Sequence, residues 1–259
     1  MSYSFTKCEL TDVKNLIQEY VQTLSSPIDS YLEDHILRSD FYKINNLSNV
    51  VGYFAILDNQ LLTQFYVTFN TIQDSKEIFT QVINDFSITK SLLPTSDEFL
   101  ISLALDLDFK INKQAYFFQD GKVEVPDEKL FKDAEFRQAN ISDSEKIKVV
   151  STDFFDRLEE RIENGEIFIL SKNDLFYGFG IIEKSKLQQG YASIGMFTNE
   201  QFRQMGIGRT ILHHLKHWCY SNQLHPIAGC WYYNTLSKQT LESVGMRTKT
   251  RLVNIEISR

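Results

Sequence analysis

The chain has 259 residues, 42% of them hydrophobic and 24% charged, with a formal net charge of −7. That length holds one large domain or two small ones with real cores, and the acidic balance excludes nucleic acid as the main partner, because phosphate contacts need clustered Lys and Arg. No apolar run approaches the roughly 20 residues that span a bilayer, and Cys8, Cys219 and Cys230 form no C-x-x-C pair, so a reduced, cytoplasmic protein without a membrane partner is expected.

Phe5 to Leu16 predicts a short strand that passes through an N-cap at Thr11 into an amphipathic helix. Val13, Leu16, Ile17, Tyr20, Val21 and Leu24 share one face of that helix. Tyr42–Ile44 and Val50–Leu57 flank a polar turn and read as a β-hairpin, and Leu61–Phe69 reads as a further strand. The stretch Asn70–Glu77 that follows has two acids and no glycine, so an anion would find little there. A helix starting near Asp97 gives way at Leu107-Asp108-Phe109-Lys110 to a strand, Ala115–Phe118. Asp120–Ala134, with Gly121 and Pro126, reads as the connection, with the linker proper at 126–134.

The second half repeats the order. Phe136–Ile147 carries a strand, a capping box of Ser142 with Glu145, and the start of a helix. Ile147, Val150, Phe154, Leu158 and Ile162 predict one continuous apolar face. Glu166–Leu170 and Leu175–Glu183 form a hairpin around Ser171–Asp174, with Gly178 where the first half has Gly52. Tyr191–Phe197 is the next strand; a helix from Thr235, Val244-Gly245-Met246-Arg247 and a strand Leu252–Ile257 close the half. Matching elements recur at nearly constant offset, which predicts duplication, with domains at 1–125 and 135–259.

One segment has no counterpart in the first half. The apolar strand ends at Phe197; a polar turn follows; then Arg203-Gln204-Met205-Gly206-Ile207-Gly208-Arg209 opens a helix whose apolar face is Ile211, Leu215 and Trp218. Unpaired N–H groups and the dipole of a helix N-terminus suit an anion, and glycines let backbone approach a phosphate. It is not a Walker loop, since no Gly-Lys-Ser/Thr follows, and Ile211 stands where a dinucleotide fingerprint needs glycine. His213, His214 and His217 lie on the same helix; His213 and His217 have i, i+4 spacing but point away from that face, with no carboxylate or cysteine to complete a set, so no metal site is expected.

These residues resemble the GNAT (GCN5-related N-acetyltransferase) superfamily, whose central motif Q/R-x-x-G-x-G/A matches Arg203–Gly208 in full. Downstream, Asn234-Thr235-Leu236-Ser237 and Val244-Gly245-Met246 are similar to the family's N-x-x-A/S and G-F, with Met246 replacing the aromatic. The resemblance covers Phe136–Ile257 well and Phe5–Phe118 in outline. It implies two α/β domains, each a mixed, mostly antiparallel sheet flanked by helices, with the N-terminal copy degenerate and supporting. It implies an N-acetyltransferase that moves an acetyl group directly from acetyl-CoA to an amine of a small molecule or protein. Met196, Phe197 and Thr198 would meet the pantetheine arm, with an N–H around Phe197 polarising the thioester oxygen. The loop from Gln204 to Arg209, flanked by Arg203, would hold the pyrophosphate, and Asn234 and Ser237 would meet the cofactor arm; Asn234 reads equally well as a helix N-cap. Many members carry a tyrosine seven residues after that asparagine, but this chain has Leu241. Tyr232 and Tyr233 are the substitute acids and Glu183 is the base candidate, each also readable as an ordinary strand residue. The missing tyrosine keeps open a non-catalytic CoA-binding sensor, and a partner-binding module that binds no cofactor is the second alternative. A monomer or homodimer is expected.

Overall fold

The protein is described by a computed structural model covering residues 3–257. Its first half runs β1 (Tyr3–Cys8), α1 (Lys14–Thr23), α2 (Ser30–Leu37), β2 (Asp40–Asn46), β3 (Asn49–Leu57), β4 (Leu61–Val67), α3 (Ser75–Asp85), β5 (Lys90–Pro94), α4 (Glu98–Asp106) and β6 (Lys110–Asp120). The second half continues with β7 (Glu135–Gln138), α5 (Ser144–Ser151), α6 (Leu158–Glu163), β8 (Ile167–Lys172), β9 (Leu175–Lys184), β10 (Tyr191–Thr198), α7 (Ile207–Ser221), β11 (His225–Trp231), α8 (Thr235–Ser243) and β12 (Met246–Glu256). These elements form two compact units. No helix among the described residues is long and apolar enough to cross a membrane.

The first unit runs through Phe117 and takes in Lys186–Gln188 and the chain from Lys249 onward. In it β1 to β4 form an antiparallel meander. β5 joins β4 in parallel, but only at Leu61↔Lys90 and Leu62↔Ser91. Alternation along β3 feeds two cores. Tyr53 and Ala55 pack with Ile17 and Tyr20 of α1 and Leu32 and Ile36 of α2. Phe54 and Ile56 pack with Ile78 and Phe79 of α3 and Leu100 and Leu103 of α4. Each fully buried side chain of this size contributes about 1.5–3 kcal/mol. The antiparallel partner of β5 on its other side is β12, the last strand of the chain, with Leu252 opposite Pro94 and Glu256 opposite Lys90. The strand read as closing the second half therefore lies in the first unit.

The second unit holds Phe118–Ser185 and Gln189–Thr248. β7, β8, β9 and β10 are antiparallel in that order, and β11 adds to β10 in parallel. Both units are thus mixed, mostly antiparallel sheets flanked by helices, and both end a meander in one parallel pair.

Local details depart from expectation. The first helix begins with a 3-10 turn, Leu10–Val13, held by a capping box of Glu9 and Asp12 rather than by Thr11. In the second half, Asn140 and Asp143 make the capping box, not Ser142 and Glu145. Asp143 also takes both guanidinium nitrogens of Arg137 at 2.8 Å, which a Glu145 on the solvent side cannot replace. The single helix expected from Ile147 to Ile162 is two: α5 ends at Ser151, Thr152 takes φ +52°, and α6 starts at Leu158. Phe154 consequently leaves the core face and is half exposed. The segment after Asp120 is not a free connection; it is packed along α7, as described below. α2, α3 and β5 lie in stretches whose elements the sequence patterns did not resolve.

Candidate functional site

The site is built where β10 leaves β11. β10 pairs with β9 over its length, Ala192↔Lys184 through Thr198↔Gly178. Its ladder with β11 ends after Tyr191↔His225, Ala192↔Pro226 and Ser193↔Ile227. Beyond Ser193 the two strands part. Ser185 donates to the Tyr191 carbonyl and Asn199 to the Tyr177 carbonyl, so the odd-numbered residues of β10 turn their backbone toward β9. By alternation, the amides of Met196 and Thr198 turn toward the opening, and that of Phe197 turns away from it. Of the three residues expected at the cofactor arm, Met196 and Thr198 are therefore the ones that present backbone there; the amide around Phe197 is on the wrong edge.

The side chains divide the same way. Those of Thr198 and Met196 lie against Gly208 of α7: a Cβ on Gly208 would stand 3.2 Å from Thr198 Oγ1 and 3.3 Å from Met196 Sδ. Phe197 lies on the opposite face, with ring centroids 5.0 Å from Phe154 and 5.9 Å from Phe179.

The loop that follows starts at Asn199, whose side chain accepts from Gln201 N at 3.2 Å and donates to the Phe176 carbonyl at 3.1 Å. Gln204 takes φ +66° and Gly206, the N-cap of α7, takes φ +83°. A side chain at that left-handed position would cost roughly 1 kcal/mol or more. No side chain caps the helix. Its first internal bond runs from Thr210 N to Gly206 O at 3.0 Å, so the N–H groups of Ile207, Gly208 and Arg209 have no helical acceptor. This is the end of a 15-residue helix, with its partial positive charge uncompensated by any first-turn acid. The cations expected nearby are engaged: Arg203 pairs with Glu200 at 3.0 Å, while Arg209 donates to Ser243 Oγ and to the Lys129 carbonyl, both at 3.1 Å. Met205 is half exposed beside them.

Asn234 N-caps α8, its Oδ1 accepting from Ser237 N at 3.0 Å. The cap uses only the oxygen and leaves the Nδ2 hydrogens to serve another acceptor. Leu241, which stands where many members of the family carry a tyrosine, is buried in the core. Tyr233 is exposed and packs edge-on to Trp231 and Tyr232 at centroid distances of 5.1 and 5.4 Å.

Glu183 is not a solitary strand-end carboxylate. Arg161 of α6 donates to it at 2.8 Å, to Glu166 at 3.0 Å and to Asp156 at 2.8 Å. Burial works against the Arg161 charge, yet Glu183 and Asp156 outweigh it and hold the guanidinium above its ordinary range. Burial, with the neighbouring Glu183 charge, raises Glu166 in spite of Arg161. Glu183 lies on the Phe179 face of β9, the face that carries Phe197. Neither the Arg161 cluster nor the Phe154–Phe197 contact follows from the sequence pattern, because the partners are distant along the chain and Phe154 keeps the spacing of a core position.

The His213 and His217 rings lie 4.3 Å apart, tilted at 59°, and His217 stands 3.7 Å from Glu124. No group of three metal-ligating side chains occurs among the described residues.

The first unit has the same opening between β4 and β5, but a different helix end. Asp74 precedes α3, accepts from Tyr3 OH at 2.5 Å, and Glu77 stands in the first turn. The Asp74 hydrogen bond, with burial, pushes Tyr3 up to about 12. This helix end carries two acids where the second unit has glycines.

Residues 9–121 match an acetyltransferase (GNAT) domain model and residues 133–246 match the acetyltransferase (GNAT) family model. No curated protein sequence matches. The fold is similar to that of a GNAT-family acetyltransferase from Colwellia psychrerythraea, with TM-score 0.88 at 17% identity over 98% of this chain and 100% of the other. It is also similar to a GCN5-related N-acetyltransferase from Sphaerobacter thermophilus, with TM-score 0.71 at 12% identity over 98% and 95%. A tandem GNAT protein from the clavulanic acid biosynthesis pathway gives TM-score 0.67 at 11% identity over 99% and 98%.

Proposed function

The chain belongs to the GNAT superfamily as two GNAT domains in tandem, and from that premise we propose that its second domain is an acetyl-CoA-dependent N-acetyltransferase. The observation that carries the reading is the opening of β10 from β11 in register with the uncapped, glycine-led end of α7. The residues present suit the cofactor: the left-handed Gly206 and the close-packed Gly208 leave a cradle that side chains would fill. The amides of Ile207, Gly208 and Arg209 hold the pyrophosphate, with Arg203, Gln204 and Met205 forming the approach. The backbone of Met196 and Thr198, with Asn234 and Ser237, holds the arm. When bound, acetyl-CoA supplies an acyl group activated as a thioester.

The chain's own part in the reaction is positioning, polarisation and proton handling. The amide of Met196 or Thr198, rather than that of Phe197, is the donor for the carbonyl oxygen. The acceptor approaches from the face bearing Phe154, Phe197 and the carboxylates around Arg161, which favours a cationic or neutral amine of a small molecule or protein. Glu183 receives the amine proton, directly or through water, with Arg161 fixing its orientation. Tyr232 and Tyr233 are the hydroxyls for the leaving thiolate, since Leu241 is closed in the core.

Calorimetry with CoA and a thiol-release assay over an amine panel test this. Micromolar binding lost in Gly206→Trp, with turnover on at least one amine, is the expected result. Binding without turnover on any amine would turn the reading toward a CoA sensor, the option that Leu241 favours. No binding at millimolar CoA would end both.

A further inference from the structure

We propose that the segment from Asp120 to Phe131 is a strap that sets the phosphate loop, and that Thr210 is the positioning residue through which it acts. The inference rests on the CoA reading above and extends it to residues outside the loop motif.

The strap is anchored first near the far end of α7. Lys216, buried on the helix, pairs with Asp120 at 2.9 Å and donates to the Val244 carbonyl at 2.8 Å. Tyr220 OH donates to Asp120 at 2.6 Å, and Gly121 N donates to Gly245 O at 3.0 Å. Two buried charges held this way resist separation, because breaking one partner leaves the other uncompensated. From there the chain follows α7 back about 15 Å to its N-terminus. At that end the Lys129 carbonyl takes Arg209 Nη1 at 3.1 Å, and Phe131 N donates to Thr210 Oγ1 at 2.7 Å. Thr210 Oγ1 donates in turn to the Gly206 carbonyl at 3.1 Å.

A relay of hydrogen bonds therefore runs from the strap backbone to the glycine that begins the helix. The strap also reaches the other flank of the loop: the Phe131 ring lies 4.9 Å from Tyr177, and Tyr177 lies 5.0 Å from Phe202, just before Arg203. The loop between these flanks has a left-handed glycine, a left-handed glutamine and no cap. Such a loop loses much conformational freedom on binding an anion. Fixing it beforehand from both sides lowers that loss, which is what preorganisation gives to affinity.

The experiment compares CoA affinity by calorimetry, and KM for acetyl-CoA and for the acceptor, in wild type, Thr210→Val and Thr210→Ser. Thr210→Val should weaken CoA roughly fivefold or more, about the size of one lost buried hydrogen bond. The acceptor KM should stay unchanged, and Thr210→Ser should restore the wild-type value. A merely structural hydroxyl would lower the melting temperature without moving CoA affinity, and that outcome overturns the proposal. If Thr210→Val fails to fold, Phe131→Pro read against Phe131→Ala isolates the strap N–H, and equal CoA affinity of the two overturns it. Wild type that binds CoA, loses it in Gly206→Trp and keeps it in the strap variants defeats the strap alone. Wild type that binds no CoA defeats the functional reading and the strap with it.

Discussion

Asp97 and Asn234 occupy matching places, each the N-cap of the helix that follows the parallel strand of its unit. Asn234 is exposed beside the opening, whereas Asp97 is 4% exposed among Tyr20 and Tyr53. Burial raises Asp97 to about 6, with the Leu100 amide and the Tyr20 hydroxyl pulling the other way. The folded state thus holds this proton more tightly than the unfolded state. Its stabilising contribution is complete below about pH 4 and is lost as pH rises through about 6, a swing of about 3 kcal/mol. Asp97→Asn keeps the cap oxygen that accepts from Leu100 N and removes the charge. Urea titrations should find Asp97→Asn more stable than wild type at pH 7, with the advantage gone near pH 4. An advantage that does not change with pH would show that the carboxylate is not its source. At this scale the glycines and Asn234 were legible because their chemistry is local. Lys216 was not: an ammonium on a buried helix face makes sense only once Asp120 is brought to it.

Among elements, the two halves agree down to the contacts of one glycine. A Cβ on Gly178 would stand 2.5 Å from the Phe197 carbonyl, and a Cβ on Gly52 would stand 2.2 Å from the Tyr66 carbonyl. Each glycine faces the residue after that carbonyl, Thr198 or Val67. Such close approach lets the strand that leads into the loop bend across its neighbour. Alanine at either site should cost about 1–3 kcal/mol in chemical denaturation, the usual size of forced overpacking. Only Gly178→Ala should also weaken CoA, because Phe197 lies between Met196 and Thr198 in the site strand. Equal loss of CoA affinity in Gly52→Ala would place a working cofactor site in the first unit. The repeat of strand and helix was legible from hydrophobic period. The break at Thr152 was not, because Ile147, Val150, Phe154, Leu158 and Ile162 keep helical spacing across it, and spacing carries no record of a backbone reversal.

The whole molecule is where chain order misleads most. Gly121 and Pro126 point to a linker at 126–134, yet the first compact unit needs the last strand of the chain and the second holds the segment from Phe118 onward. Nothing in a β-strand's own sequence names its partner, since ladder bonds are made by backbone that every residue shares. Leu252, Val253 and Ile255 are apolar enough to finish either half, and the structure pairs them with Pro94, Leu93 and Ser91. A fragment of residues 1–125 therefore lacks the partner of β5 and exposes an apolar edge, the kind that recruits foreign strands. Sedimentation and far-UV dichroism should find that fragment aggregated or unfolded. A peptide of residues 246–259 added in trans should recover a soluble, cooperatively melting species, whereas a β12 peptide with Leu252 and Ile255 replaced by Lys should not, because both side chains are buried in the cores that β5 borders. A fragment 1–125 that is monomeric and folded without the peptide would mean that β6 can take the place of β12 beside β5, and the exchange would then be an alternative pairing rather than a requirement of the fold.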